Sequence, residues 1–217
     1  MADPTFLIVR SKVPALRFDQ FCRANAGCGG RLAAACPIHE VAALEPGSQP
    51  QHTWIAKFPS MIAARDAWSS RIDASMLAQP EPPLVLAARA VPEEGYPPEL
   101  DFIPTHRNVD PAPSPSPTLL LIEGSASDAQ RMERYRDIIL PMMKERRSYY
   151  TVFELGGNVE VLSGTWGEAI FAVSRWPKRE AALDFWLCRE YQETAIPLRL
   201  DIGRFSVLAL AEAIDGA

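Results

Sequence analysis

Four cysteines and three histidines in 217 residues leave little for a disulfide scaffold, and their uneven spacing argues the same way. A reducing cytoplasm is the expected setting. Basic residues are not in excess: the formal net charge is −5, and the densest group, Lys144, Glu145, Arg146 and Arg147, has an acid in its middle. A surface that tracks phosphates needs clustered cations, so a nucleic-acid partner is not expected. No run of 18 apolar residues occurs, so no membrane-spanning helix is expected. The first ten residues carry Asp3 and lack a basic segment followed by a long apolar core, so no secretory signal is expected. The sequence contains no Gly-rich phosphate loop, dinucleotide fingerprint, HExxH pair or Ser-His-Asp order. No cofactor is expected.

Proline, by contrast, is concentrated. Residues 92–117 hold eight of the 20 prolines and end in a Pro-Ala-Pro-Ser-Pro-Ser-Pro alternation. Each ring fixes φ and removes a backbone donor, so this stretch reads as an extended, semi-rigid linker. It separates residues 1–91 from residues 118–217, and each part is long enough for one small domain.

The two parts repeat each other. KFPSMIAARDAWSS from Lys57 and RWPKREAALDFWLC from Arg175 align without a gap. Pro59 falls on Pro177, Ala63 and Ala64 on Ala181 and Ala182, Asp66 on Asp184, and Trp68 on Trp186. Strand-like runs precede the two copies, HTWIAKF from His52 and AIFAVSRW from Ala169, and others follow, LVLAARAV from Leu84 and FSVLALAE from Phe205. Each part also opens on a strand, FLIVRS from Phe6 and TLLLIEG from Thr118.

A helix is expected after each opening strand. In the second part Met132, Tyr135, Ile139 and Met142 form an apolar stripe, Ser127 and Gln130 have capping-box spacing, and Pro141 should end or kink the helix. In the first part Leu16, Phe18, Phe21 and Cys22 give a shorter stripe. Hairpins are expected next, RLAAAC with EVAAL and YYTVFEL with NVEVLSG, the latter turning at Gly156 and Gly157. The order is β-α-β-β-α-β, twice: an α+β chain of two tandem ferredoxin-like domains. Pro59 and Pro177 mark the start of the repeated second helix. Its alanines and single tryptophan suit close packing on a sheet.

The run WPKREAALDFWLCREYQETAIPLR, from Trp176 to Arg199, resembles the signature of the "domain of unknown function 1330" family of the dimeric α/β-barrel superfamily. The matching positions are Trp176, Pro177, Ala181, Ala182, Trp186, Glu190, Tyr191, Gln192, Pro197, Leu198 and Arg199. The first part keeps Phe58, Pro59, Ala63, Ala64 and Trp68, and Gly29, Gly30 and Arg31 resemble the family's Gly-Gly-Arg. It lacks the Glu-Tyr-Gln segment, with RIDASMLAQ from Arg71 in its place. Family members pair as homodimers, sheet against sheet. The resemblance therefore implies an intrachain pseudo-dimeric α/β barrel whose halves pair within one chain, with further self-association left open. It implies no established activity.

The candidate chemistry is sparse. Cys22, Cys28, Cys36 and His39 lie close in sequence, but their spacing fits no zinc pattern, so they read as inert thiols and no metal site is expected. Cys188 reads as a helix-side thiol. His52 opens a strand on the side of Trp54 and Phe58, which suits either a general base at a pocket rim or a water-facing strand end. His106 reads as a solvated linker residue.

Tyr149, Tyr150, Glu154, Arg175, Glu190 and Tyr191 are the polar groups expected near the second part's pocket. A tyrosine with an arginine can polarise a carboxylate or enolate oxygen, and a glutamate in an apolar pocket can act as a base. The alternatives are structural: Tyr191 and Arg199 pinning a crossover, Arg175 paired with Asp184 or Glu180. The expected catalytic set is His52, Tyr149, Glu154 and Arg175, with Trp54, Trp176 and Tyr191 binding substrate. The function class is a cofactor-independent isomerase, cyclase or lyase acting on a small aromatic or carboxylate-bearing metabolite. The alternatives are a non-catalytic ligand-binding or assembly module and, more remotely, haem or metal handling.

Overall fold

The computed structural model describes residues 3–13, 26–71, 81–92, 100–114 and 116–213. Among these, ten strands form two five-stranded antiparallel sheets. The first sheet contains β1 (Thr5–Ser11), β2 (Arg31–Cys36), β4 (His52–Phe58) and β5 (Leu84–Arg89), in the order β2-β4-β1-β5. The second contains β6 (Thr118–Ala126), β7 (Tyr149–Leu155), β9 (Ile170–Trp176) and β10 (Gly203–Ala211), in the order β7-β9-β6-β10. The arrangement is the same in both: the opening strand sits between the third and the fourth.

The remaining strands correct the expected hairpins. β3 (Ala42–Ala43) does not fold back on β2; it pairs with Leu208 and Ala209 of β10 in the other sheet. β8 (Glu160–Ser163) does not return to β7; it pairs with Val85, Leu86 and Ala87 of β5. Each half thus sends a short strand to cover the exposed edge of the other's sheet, which removes an unpaired ladder of backbone groups. Gly156 and Gly157 do turn the chain, with φ of 83° and 78°.

The sheets pack face to face. One core cluster draws Phe6, Ile8 and Leu86 from the first sheet together with Leu121, Phe171 and Leu208 from the second. The outer faces carry the helices, so the central strands are buried on both sides. This is why β1 is buried at all seven positions and does not alternate.

On the first sheet's outer face, α1 (Met61–Arg71) packs Ala64, Ala67 and Trp68 against Leu7, Trp54 and Phe58. On the second, α3 (Arg179–Leu187) packs Ala182, Phe185 and Trp186 against Leu120, Ala172 and Trp176. The two prolines lie just ahead of these helices and not within their first turns. The expected helix over Leu16–Cys22 and the RIDASMLAQ segment beyond Arg71 lie outside the described residues.

Other local expectations are also corrected. α2 (Ala129–Glu145) is capped by Asp128, whose side chain accepts from the Arg131 N–H at 2.9 Å. Ser127 instead donates to the Ile202 carbonyl. The helix runs through Pro141, which sits on its exposed face. The middle of the linker is a packed turn: Ile103 and Val109 are buried, and the Pro104 carbonyl accepts from the Tyr150 N–H. His106 is exposed.

Candidate functional site

The crossover after α3 builds a cleft on the outer face of the second sheet. The Glu-Tyr-Gln segment is a π-turn, Tyr191–Ala195, which runs directly into α4 (Ile196–Arg199). A π-turn shifts the register of the side chains that follow it. Tyr191 and Arg199 both point into the space between the sheet and α2. The cleft has a volume of about 80 Å³, and its walls include Trp176, Phe185, Trp186, Phe153 and Met143.

Aromatic rings surround Tyr191. Its ring centroid lies 4.6 Å from Phe185 and 5.0 Å from Trp186. Trp176 packs on Phe185 at 4.9 Å, and its indole N–H is satisfied by Ser174 at 2.9 Å, leaving the ring as apolar wall. The Tyr191 hydroxyl meets that of Tyr135, from α2, at 3.0 Å. Burial pushes the Tyr191 phenol well above its ordinary range, and Tyr135 is raised for the same reason. Both stay protonated at neutral pH.

Arg199 closes one side. Its guanidinium lies 4.9 Å from the ring centroid of Phe205, 5.4 Å from Trp186 and 5.7 Å from Tyr135. Its carboxylate partner, Glu45, comes from the other half, at 2.5 Å. Glu45 follows β3, and its loop is fastened to β10 by Leu44 N–H to the Val207 carbonyl and by Val207 N–H to the Ser48 hydroxyl. Burial works to lower the Arg199 pKa, but Tyr135, Tyr191 and Glu45 together hold it above its usual value.

The residues expected from sequence do not converge. Trp176 and Tyr191 line the cleft, as does Tyr150. Tyr149, Glu154 and Arg175 lie on the opposite face of the same sheet: Tyr149 sits opposite Arg175 in register, Glu154 opposite Phe171, and Phe171 belongs to the core between the sheets. Arg175 pairs with Glu212 at 2.6 Å, not with Asp184 or Glu180. Burial raises the Tyr149 pKa, with Arg175 pulling the other way. Burial likewise raises Glu154, against the pull of Arg89.

His52 and Trp54 belong to the first half, stacked with ring centroids 6.0 Å apart on its helix side. The His52 Nδ1 accepts from the Ile38 N–H, which ties β4 to the 3-10 turn at Ile38–Glu40. Cys36 is buried, Cys28 and Cys188 are half-buried, and Cys22 is not described. No group of three metal-ligating side chains forms among the described residues.

Residues 118–212 match the family model described as "Domain of unknown function (DUF1330)". No curated protein matches the chain in sequence. Among solved structures, it is similar to a chlorite dismutase variant from Candidatus Nitrospira defluvii, at 10% identity and a TM-score of 0.47, covering 99% of this chain and 93% of that one. It is also similar to an anthrone oxidase-like protein, at 9% identity and a TM-score of 0.45, covering 99% and 92%.

Proposed function

We propose that the second half takes a small, largely apolar molecule into the cleft and holds one of its oxygens on the Tyr135–Tyr191 hydroxyl pair. The observation that carries this is the unspent proton. Two hydroxyls 3.0 Å apart share one hydrogen bond, so one O–H remains free to donate. Among the described residues no acceptor receives it. Raised pKa values keep both groups as donors, and a donor in an apolar, water-poor site stabilises charge on a carbonyl or enolate oxygen. That chemistry needs no cofactor and suits an isomerase, cyclase or lyase acting on an aromatic or carbonyl compound.

A second reading, binding without turnover, is favoured by one feature. The described residues lining the cleft include no carboxylate and no imidazole, so none of them is an evident proton acceptor. Thermal-shift and tryptophan-fluorescence titration with phenols, aryl ketones and small aromatic acids tests both. A binder is expected, and the double variant Tyr135→Phe with Tyr191→Phe, which leaves no O–H to donate, should weaken it about tenfold, the worth of one lost hydrogen bond. A binder that is consumed marks an enzyme; one recovered intact marks a binding module. A panel in which nothing binds refutes the cleft.

We also infer that residues 1–91 and 118–217 are copies of one domain, joined by the 92–117 linker and paired within a single chain. The repeated helix, the common strand order and the reciprocal exchange of β3 and β8 support this. Analytical ultracentrifugation should show a 24.0 kDa monomer; dimers in which each half pairs with another chain would refute it.

A further inference from the structure

Among the described residues, Arg136 and Arg199 each carry a side-chain Nε that is buried without a hydrogen-bond partner, and both line the same cleft. Buried donors are almost always satisfied, so two orphans in one place ask for an acceptor that belongs there. The two arginines differ in what they hold. Arg199, only 5% exposed, has Glu45 and three aromatic rings. Arg136, projecting from the middle of α2, makes no ion pair or hydrogen bond with any described residue.

Charge points the same way. Two guanidinium groups line the cleft, and the carboxylate of Glu45, which is not part of its lining, pairs with Arg199 alone. Apart from Ser174 and the tyrosine hydroxyls the rest of the lining is aromatic and aliphatic, and a half-buried cation there gains by meeting an anion. The planar fork of an arginine matches the two oxygens of a carboxylate.

We propose that the ligand of this cleft is a monocarboxylate with an aromatic or branched apolar body, its carboxylate held by Arg136 and its body packed on Trp176 and Phe185. The proposal rests on the cleft being the binding site, as argued above. Arg199, already neutralised by Glu45, shapes the wall and supplies field. Tyr135, one residue before Arg136 on α2 and bonded to Tyr191, offers its free proton to a second oxygen of the ligand. The molecule is then a carboxylic acid bearing a further carbonyl or hydroxyl group.

Pairs of compounds that differ only in charge test this on the full chain. Benzoate against benzamide, phenylacetate against phenylacetamide, and phenylpyruvate against its amide are titrated by calorimetry or tryptophan fluorescence. The acids should bind at least tenfold tighter than the amides. Arg136→Gln should abolish that preference with the melting temperature near wild type, and Arg136→Lys should keep part of it. Equal affinity for acid and amide, or a preference that survives Arg136→Gln, overturns the carboxylate assignment and leaves the cleft standing. Failure of both series to bind overturns the cleft and the assignment together.

Discussion

Glu123→Arg is expected to be severely destabilising. Arg10 and Glu123 meet in two parallel contacts, 2.8 Å and 2.7 Å, with side chains only 10% and 6% exposed. Trp166 donates its indole N–H to the same carboxylate at 2.9 Å. Removing one partner of a buried pair leaves an uncompensated charge and costs about 3–5 kcal/mol. Reversal adds repulsion to that. Urea denaturation should show the Glu123→Arg and Arg10→Glu midpoints falling steeply. The double exchange, Arg10→Glu with Glu123→Arg, should recover much of the loss but not all, because the Trp166 N–H no longer has an acceptor. Single variants within about 0.5 kcal/mol of wild type would mean that water screens the pair.

The location of this pair matters more than its strength. Thr5 lies opposite Phe58, and Thr118 lies opposite Trp176, the residues aligned by the repeat. Counting along β1 and β6 from these two threonines puts Arg10 and Glu123 at equivalent positions. If two first halves met, arginine would face arginine; if two second halves met, glutamate would face glutamate. Only unlike halves bring opposite charges together. On the pseudo-dimer reading, this contact discriminates against pairing between like halves, and such discrimination becomes available only once the two copies differ in sequence.

Periodicity made the eight principal strands and the repeated helix legible, because each long element has to bury a face. It said nothing about partners. Ala42–Ala43 and Glu160–Ser163 are too short for a period to show which sheet edge they join, and only the tertiary arrangement sends them across. The same limit hid Glu45, an unremarkable acid beside a turn until β3 carries it to Arg199. Tyr149, Glu154 and Arg175 were visible as polar residues on strands, but the sheet is buried on both faces. A bulge between Tyr150 and Val152 shifts the register, so alternation alone did not assign their side. Tyr135 belongs to the apolar stripe of α2, and its hydroxyl acquires meaning only opposite Tyr191. Ser127 and Asp128 are both good caps, so sequence alone does not separate them, and Asp128 takes the role because Ser127 is drawn off to the Ile202 carbonyl.

Glu45→Ala is expected to injure the second half from the first. It strips the carboxylate from Arg199, whose side chain is 4% exposed, and leaves three aromatic rings as the guanidinium's chief company. The cost should be about 3 kcal/mol, at the lower edge of what breaking a buried pair removes, since cation–π contacts retain part of the attraction. Glu45→Gln should cost less, keeping an oxygen for the Arg199 N–H. Equilibrium urea unfolding measures the loss. Near-UV circular dichroism in native buffer then separates two origins. If the carboxylate positions Arg199, the Trp186 signal should change while the protein is still folded, and ligand affinity should fall with it. If Glu45 only fastens its own loop to β10, stability drops while the tryptophan spectrum and the affinity stay at wild-type values. The first outcome makes the cleft a joint product of both halves: a carboxylate from the part that lacks the Glu-Tyr-Gln segment completes the site in the part that retains it.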